Sequence, residues 1–530
     1  MGGVRVSRRA FLGGAAATGF LVACSGGDDS SSSSSPSTTT LAVPSLSGYP
    51  FTLGVASGDP TAEAVVLWTR LAPDALEVGG GMPAQDVPVR WQLATDEGFG
   101  DLVGEGTAIA TADAAHTVHV DATGLDPGRE FFYRFLVGDD ESPVGRARTM
   151  PAAGEVPDRF VLGQVSCAQW GDGYYAAYRD LAESDCDLVV CLGDYIYERG
   201  PATRAERAVR NGQIVAQTLD EYRQTYALYR SDEDLQAAHL AAPWTVIWDD
   251  HETSNDYVGD HPDVDSESRN EAEFAERRAA AYRAWWEHMP VRFDPPAGAD
   301  LAIYRNLDVG ALARLTLLDS RQYRTALNCP GAVGQIGARC DTAFEPTTTF
   351  LGTEQEAWVA ESLTGGDDRV WDVIGNQVVM HQWRFGPGDE AVFNLDQWDG
   401  YPEARGRMLQ ALGAATGDVV VLTGDVHSTW VADLREDFDD DGSARVGSEL
   451  VTPGIASEGA DIAVVEDVIR ANNPHVRYSE AEHRGWLRHE VTADEWTAEI
   501  RHVQTFDDRR SPVPVSATFV IEPGRPIEEG

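Results

Sequence analysis

Short apolar runs separated by Gly, Pro and Asp fill the stretch from about Tyr49 to Met150. Ala64-Val65-Val66-Leu67-Trp68-Thr69, Val89-Arg90-Trp91-Gln92-Leu93 and Thr117-Val118-His119-Val120 are apolar or alternating. That is the pattern of strands with a buried face. Gly124-Leu125-Asp126-Pro127-Gly128 is a turn that leads into a further run, Glu130-Phe131-Phe132-Tyr133-Arg134-Phe135. These elements predict a small antiparallel β-sandwich over residues 49–150. His116 and His119 have no acid or cysteine partner nearby and are expected on a solvated face. Pro151 to Pro157 reads as a linker.

From Arg159 the pattern changes. Apolar runs at Phe160–Val165, Leu188–Leu192, Trp244–Trp248, Leu315–Leu318, Val373–Val379 and Val419–Leu422 predict short buried strands. Helical stretches lie between them, most clearly Asn270 to His288. Alternating strands and helices predict an α/β layered domain over residues 158–525. The sandwich before it is of the fibronectin type III kind. In layered α/β sheets, ligands bind just past the carboxyl ends of the strands.

The chain ahead of the sandwich is different. Ser7-Arg8-Arg9-Ala10-Phe11-Leu12 resembles a twin-arginine export signal, and an uncharged apolar stretch follows to Ala23. Leu21-Val22-Ala23-Cys24 resembles a bacterial lipobox. Residues 1–23 are expected to be removed and Cys24 to carry a lipid that anchors the protein to a membrane. Gly26 to Thr40 is almost entirely Gly, Asp, Ser, Pro and Thr, so residues 24–48 are expected to be a tether. Twin-arginine substrates are typically exported folded, often with metal inserted.

Composition narrows the function. The 530 residues include 86 acids against 41 bases, every base is an arginine, and the formal charge is -45. A nucleic-acid binder needs the opposite balance, so that class of partner is not expected. With 42% hydrophobic residues and 14 Trp, the chain can bury a large core. A monomer is expected. A negative field repels phosphate groups, so a site for them must carry its own cations.

The predicted strand ends supply candidate ligands. The first ends in Ser166-Cys167 and the second runs into Gly193-Asp194-Tyr195-Ile196-Tyr197. The third runs into Asp249-Asp250-His251-Glu252, with Asn255 close behind. A later one carries Asn376 and Gln377 and ends at His381, and the last runs into Gly424-Asp425-Val426-His427. Acids gathered at a buried edge cost several kcal/mol unless paired or bound to metal, and shared hard cations remove that cost. The ordered motifs Ser-Cys, Gly-Asp-x-Ile-Tyr-Glu, Trp-Asp-Asp-His-Glu and Gly-Asp-Val-His resemble the PhoD-type alkaline phosphatases. These are metallophosphoesterases related to the purple acid phosphatases, and the resemblance covers nearly the whole chain.

The resemblance implies a ferric ion, Fe(3+), held by Cys167, Asp194, Tyr197 and His427, donors that suit trivalent iron. It implies calcium, Ca(2+), at oxygen ligands from Asp250, Asn255 and Asp425, with Asp194 bridging. His381 is a further candidate ligand by analogy, with Asn376 or Gln377 as alternatives for calcium. His251 either contacts the substrate phosphate or orients Asp250. Arg321 and Arg324, in Asp319-Ser320-Arg321-Gln322-Tyr323-Arg324, either clamp a phosphate or pair with Asp319 and surface acids. The implied activity is hydrolysis of phosphate esters by metal-activated water. Motifs do not separate monoesters from diesters, including phospholipids. A surface binding module without turnover is the reading from a different class.

Cys329 and Cys340 bracket a Gly- and Pro-containing loop and suit a disulfide in an exported chain. Cys191 is expected in the core. Asp437-Phe438-Asp439-Asp440-Asp441-Gly442 starts like a calcium loop, but Ser448 stands where the closing glutamate belongs, so an acidic hairpin turn is expected.

Overall fold

The structure, a computed structural model, describes residues 42–530 apart from 200–214, 264–267, 269, 328, 330–334, 367, 441 and 460–461. The expected signal, Cys24 and the tether up to residue 41 lie outside the described residues. Strands Val55–Gly58, Ala64–Arg70 and Thr117–Thr123 form one face of an amino-terminal sandwich. Leu102–Ala110, Val87–Ala94, Glu130–Val137 and Gly145–Arg148 form the other. Alternate residues, among them Val65, Leu67, Val89, Leu93, Tyr133 and Phe135, fill the core between them.

The sandwich is not a free-standing bead. Gly58 pairs with Trp244, which splices its first sheet into a ten-stranded sheet with the later strands. The structure corrects the expectation for His116 and His119. His116 is buried with its Nε2 2.9 Å from the Gln85 carbonyl. The His119 Nε2 lies 2.8 Å from the Met289 carbonyl, and its ring stacks on Trp286 at 4.6 Å. The helix Glu271–His288, capped by the Asn270 side chain, covers the face that was expected to be wet.

Among the described residues, two large sheets of the remaining chain share a core. Phe160–Val165, Leu188–Cys191 and Trp244–Val246 run parallel in the ten-stranded sheet. Ala313–Leu317, Trp371–Gly375 and Asp418–Thr423 run parallel in a seven-stranded sheet. Val373, Val420 and Leu422 share a core with Leu162, Val190 and Leu487 of the first sheet. Ile374, Val419 and Val421, one residue out of phase, pack instead on helices Thr353–Thr364 and Pro402–Gly413. Arg484–Val491, Trp496–Val503 and Val515–Ile521 extend the first sheet in antiparallel fashion. Cys329 and Cys340 are bridged, and Cys191 is free and buried. Residues 437–440 and 442–443 lie in a turn between Thr429–Arg435 and Arg445–Val451, with Asp437 and Asp440 accepting from nearby backbone N–H groups; Asp441 lies outside the described residues.

Candidate metal centre

The chain leaves its parallel strands through tight, unusual backbone. Cys167, Asp194, Asp425 and His427 have φ of 54°, 54°, 71° and 52°. Left-handed conformations are uncommon outside glycine and gather where function holds them. Two glycines make the crossings possible. A Cβ on Gly193, whose φ is 108°, would sit 2.5 Å from the Asp249 Cβ. A Cβ on Gly424 would sit 2.8 Å from the Ser166 Cβ. Each Gly-Asp pair therefore turns against the neighbouring loop with no room for a side chain. Glu252 locks the second and third loops together by accepting from the N–H groups of Asp194 (3.1 Å), Tyr195 (2.7 Å) and Asp249 (3.0 Å). Burial pushes its carboxyl up to about 7 in spite of those bonds.

One group of donors gathers around Asp194. The Cys167 Sγ, an Asp194 oxygen and a His427 ring nitrogen lie within 4.8 Å of one another. The Tyr197 hydroxyl joins them, 3.1 Å from Asp194 Oδ2 and 2.9 Å from His427 Nε2, and it accepts from Ser457 Oγ at 2.8 Å. His427 Nδ1 is 2.7 Å from the Glu458 carbonyl, which can only accept, so the proton sits on Nδ1. The Nε2 lone pair then faces the cluster. Burial, with Arg484 adding to it, lowers the imidazole to about 3 and keeps it neutral. Burial and the neighbouring Asp194 raise the Cys167 thiol and the Tyr197 phenol well above their ordinary values.

A second group shares the same aspartate. Oxygens of Asp194, Asp249, Asp250 and Asp425 lie within 4.8 Å of one another; the first three residues are buried and Asp425 is partly exposed. Asp249 is taken by Arg321, whose Nε and Nη2 lie 2.5 and 3.1 Å away. Burial opposes ionisation of Asp250, yet Arg321 and His251 outweigh it and hold its carboxyl below the usual range. Asp194 and Asp425 are pushed well above that range, first by burial and then by neighbouring carboxylates. A thiol, a phenol, a neutral imidazole and under-compensated carboxylates form a donor set that fits cations, and one that cations would keep ionised.

The other sequence candidates sit as follows. His251 borders the cluster, its ring 4.0 Å from that of Tyr197, and its Nδ1 is 2.7 Å from the buried carboxylate of Glu198. Asn255 is tied in through its backbone N–H, which donates to Glu198 at 3.0 Å. His381 is not brought to the cluster. Its Nδ1 pairs with Glu449 at 2.7 Å and its Nε2 accepts from the Trp383 indole at 2.7 Å, so both nitrogens are spent inside the core. The ligand expectation for His381 is thereby corrected. So is the phosphate clamp expected of Arg321 and Arg324. Both guanidinium groups are fully shielded, and both bind Asp396, at 2.9 and 2.8 Å. Of the two readings, pairing with acids is the one found, on Asp249 and Asp396 rather than Asp319. Asn376 and Gln377 bond to Val378, Thr423, Trp248 and Leu318.

Sequence reasoning missed Glu198, Asp396, Gln397 and Ser457. Gln397 donates to Asp425 Oδ2 at 2.6 Å. Glu198 closes the Gly-Asp-x-Ile-Tyr-Glu motif, a signal that was present in the sequence; the other three come from segments with no motif.

Residues 36–151 match the model of the "PhoD-like phosphatase, N-terminal domain", and residues 160–500 match that of the "PhoD-like phosphatase". The chain is 42% identical over 492 residues to alkaline phosphatase D of Bacillus subtilis (strain 168), covering 91% of this chain and 82% of that one. A solved structure of PhoD superposes with a TM-score of 0.86 at 41% identity, covering 92% of this chain and 93% of that one. With the sandwich and the layered region both matched, and with likeness running through sequence and fold alike, this chain belongs to the PhoD-like phosphatase family.

Proposed function

We propose that this enzyme is an exported alkaline phosphatase that hydrolyses phosphate monoesters with ferric iron and calcium as cofactors. The observation that carries the reading is the meeting of two donor sets at Asp194. Cys167, Tyr197 and His427 with Asp194 would hold iron; Asp250, Asn255 and Asp425 with Asp194 would hold calcium. Cations held there would neutralise a phosphate group and acidify water near it. The protein's own groups do the positioning. Glu198 fixes the ring of His251, whose side chain is 15% exposed at the cluster's rim. Burial opposes its charged form, but Asp250, Glu198 and Asp194 outweigh that and favour imidazolium. His251 is thereby suited to donate to a phosphate or leaving-group oxygen. Arg321 holds Asp249 and Asp396 so that the acids nearest the cluster keep their places.

The proposal includes a twin-arginine route and a lipid on Cys24. Among the described residues, no helix is long and apolar enough to cross a membrane. Purified protein assayed on a monoester, a diester and a phospholipid, with its metals counted, tests the function. Fastest turnover of the monoester with iron and calcium bound is expected. Faster turnover of the diester or phospholipid would reassign the substrate, and no turnover on any of them would contradict the reading.

A further inference from the structure

A separate group of donors gathers around Glu480. Glu480 ends the strand Val476–Glu480, His483 sits in the turn that follows, and His502 lies on the strand Trp496–Val503. One ligand atom from each lies within 4.8 Å of the others. His483 Nδ1 is 3.0 Å from Glu480 Oε1, and His502 Nε2 is 3.5 Å from Glu480 Oε2. The two rings stack at 5.7 Å, only 22° from parallel. The carboxylate is aimed before any ligand arrives, because it accepts the backbone N–H groups of Glu482 (2.9 Å) and His483 (3.2 Å).

We infer that Glu480, His483 and His502 form a second site, sharing no residue with the cluster at Asp194, for a divalent cation of the zinc class. Two imidazoles and one carboxylate are borderline donors that favour such an ion over calcium. His502 is buried while His483 opens to solvent, so the site has a fixed floor and an entry path. Burial lowers the His502 imidazole to about 4, which leaves it neutral at working pH. Its Nε2 also meets the Thr429 hydroxyl at 2.9 Å, and that hydroxyl can rotate away when the nitrogen takes a metal.

The site's place in the fold gives it a consequence. Arg484, next to His483, donates from Nε to the Ser457 carbonyl at 2.5 Å and from Nη1 to the His483 carbonyl at 2.9 Å. Ser457 in turn donates to the Tyr197 hydroxyl. An ion bridging His483 to His502 would pin the turn that carries Arg484, and through it the segment behind Tyr197.

The test compares the unchanged protein with His483→Ala and Glu480→Gln, all purified with the metals they carry. Each is dialysed against Zn2+, washed in buffer and analysed for its elements. Both variants are expected to retain one zinc ion per chain fewer than the unchanged protein, with their other metals unaltered. Zinc is also expected to raise the melting temperature of the unchanged protein and not of the variants, as a ligand of the folded state alone must. His483 is exposed, so its loss leaves the fold intact, and circular dichroism checks this. Equal zinc content in all three proteins would overturn the inference, as would an equal zinc-induced shift in melting temperature.

Discussion

Cys167 and Gly193 carry opposite kinds of demand at the same strand edge. Cys167 offers a donor atom, so Cys167→Ala should lose iron and most activity while circular dichroism stays near that of the unchanged protein. Gly193 offers the absence of one. A methyl group there would meet Asp249 and hold an alanine at a φ of 108°. Gly193→Ala should cost roughly 1–3 kcal/mol or more, read as a lower denaturant midpoint, and should reduce metal binding as well. Both residues were legible because short motifs encode local turns. Arg321 was legible as a cation that pairs with acids, but its partners were not. Its partners Asp249 and Asp396 lie 72 and 75 residues away, and nothing local in the chain signals that pairing. Arg321→Met should destabilise by about 3–5 kcal/mol, because it strands buried carboxylates. Calorimetry or denaturant unfolding would measure it.

The strands themselves were readable at the scale of elements, since each is a buried apolar run bounded by polar turns. What the pattern did not carry is how the two sheets lock together. Trp496 Nε1 donates to His489 Nδ1 at 3.1 Å, and His489 Nε2 lies 2.9 Å from Gln164 Oε1. Gln164 Nε2 then donates across to the carbonyls of Thr423 and Leu450 at 2.9 and 3.0 Å. The chain is satisfied only while His489 is neutral, and burial lowers its pKa to about 3. The unfolded chain binds this proton below about pH 6.5, whereas the folded one does not until about pH 3. Its contribution is therefore complete above pH 6.5 and shrinks as pH falls, by at most about 1.4 kcal/mol per pH unit. Unfolding followed from pH 7 to pH 4 should show that slope. His489→Leu should flatten it, and should lower stability at pH 7 by roughly 1–3 kcal/mol for each partner left unpaired.

At the scale of the whole molecule, the sandwich and the layered region were each recognisable, but their joint sheet was not. Periodicity shows that a strand has a buried face without showing which strand it pairs with, and His119 was misplaced for that reason. The proposed attachment also belongs to this scale. Cys24→Ser should move the protein from the membrane fraction to the soluble one in a bacterial host that processes lipoproteins. A wild-type protein already soluble in such a host would end that reading.

The measurement that bears most directly on the centre is calcium removal. A mild calcium chelator is expected to abolish monoester hydrolysis while the iron, and any colour from Tyr197 bound to it, stay in place. Added calcium should restore turnover, and the Asp425→Asn protein should need more of it. Activity that survives exhaustive calcium removal, or that only zinc restores, would contradict the assignment of the site around Asp194, Asp250, Asn255 and Asp425.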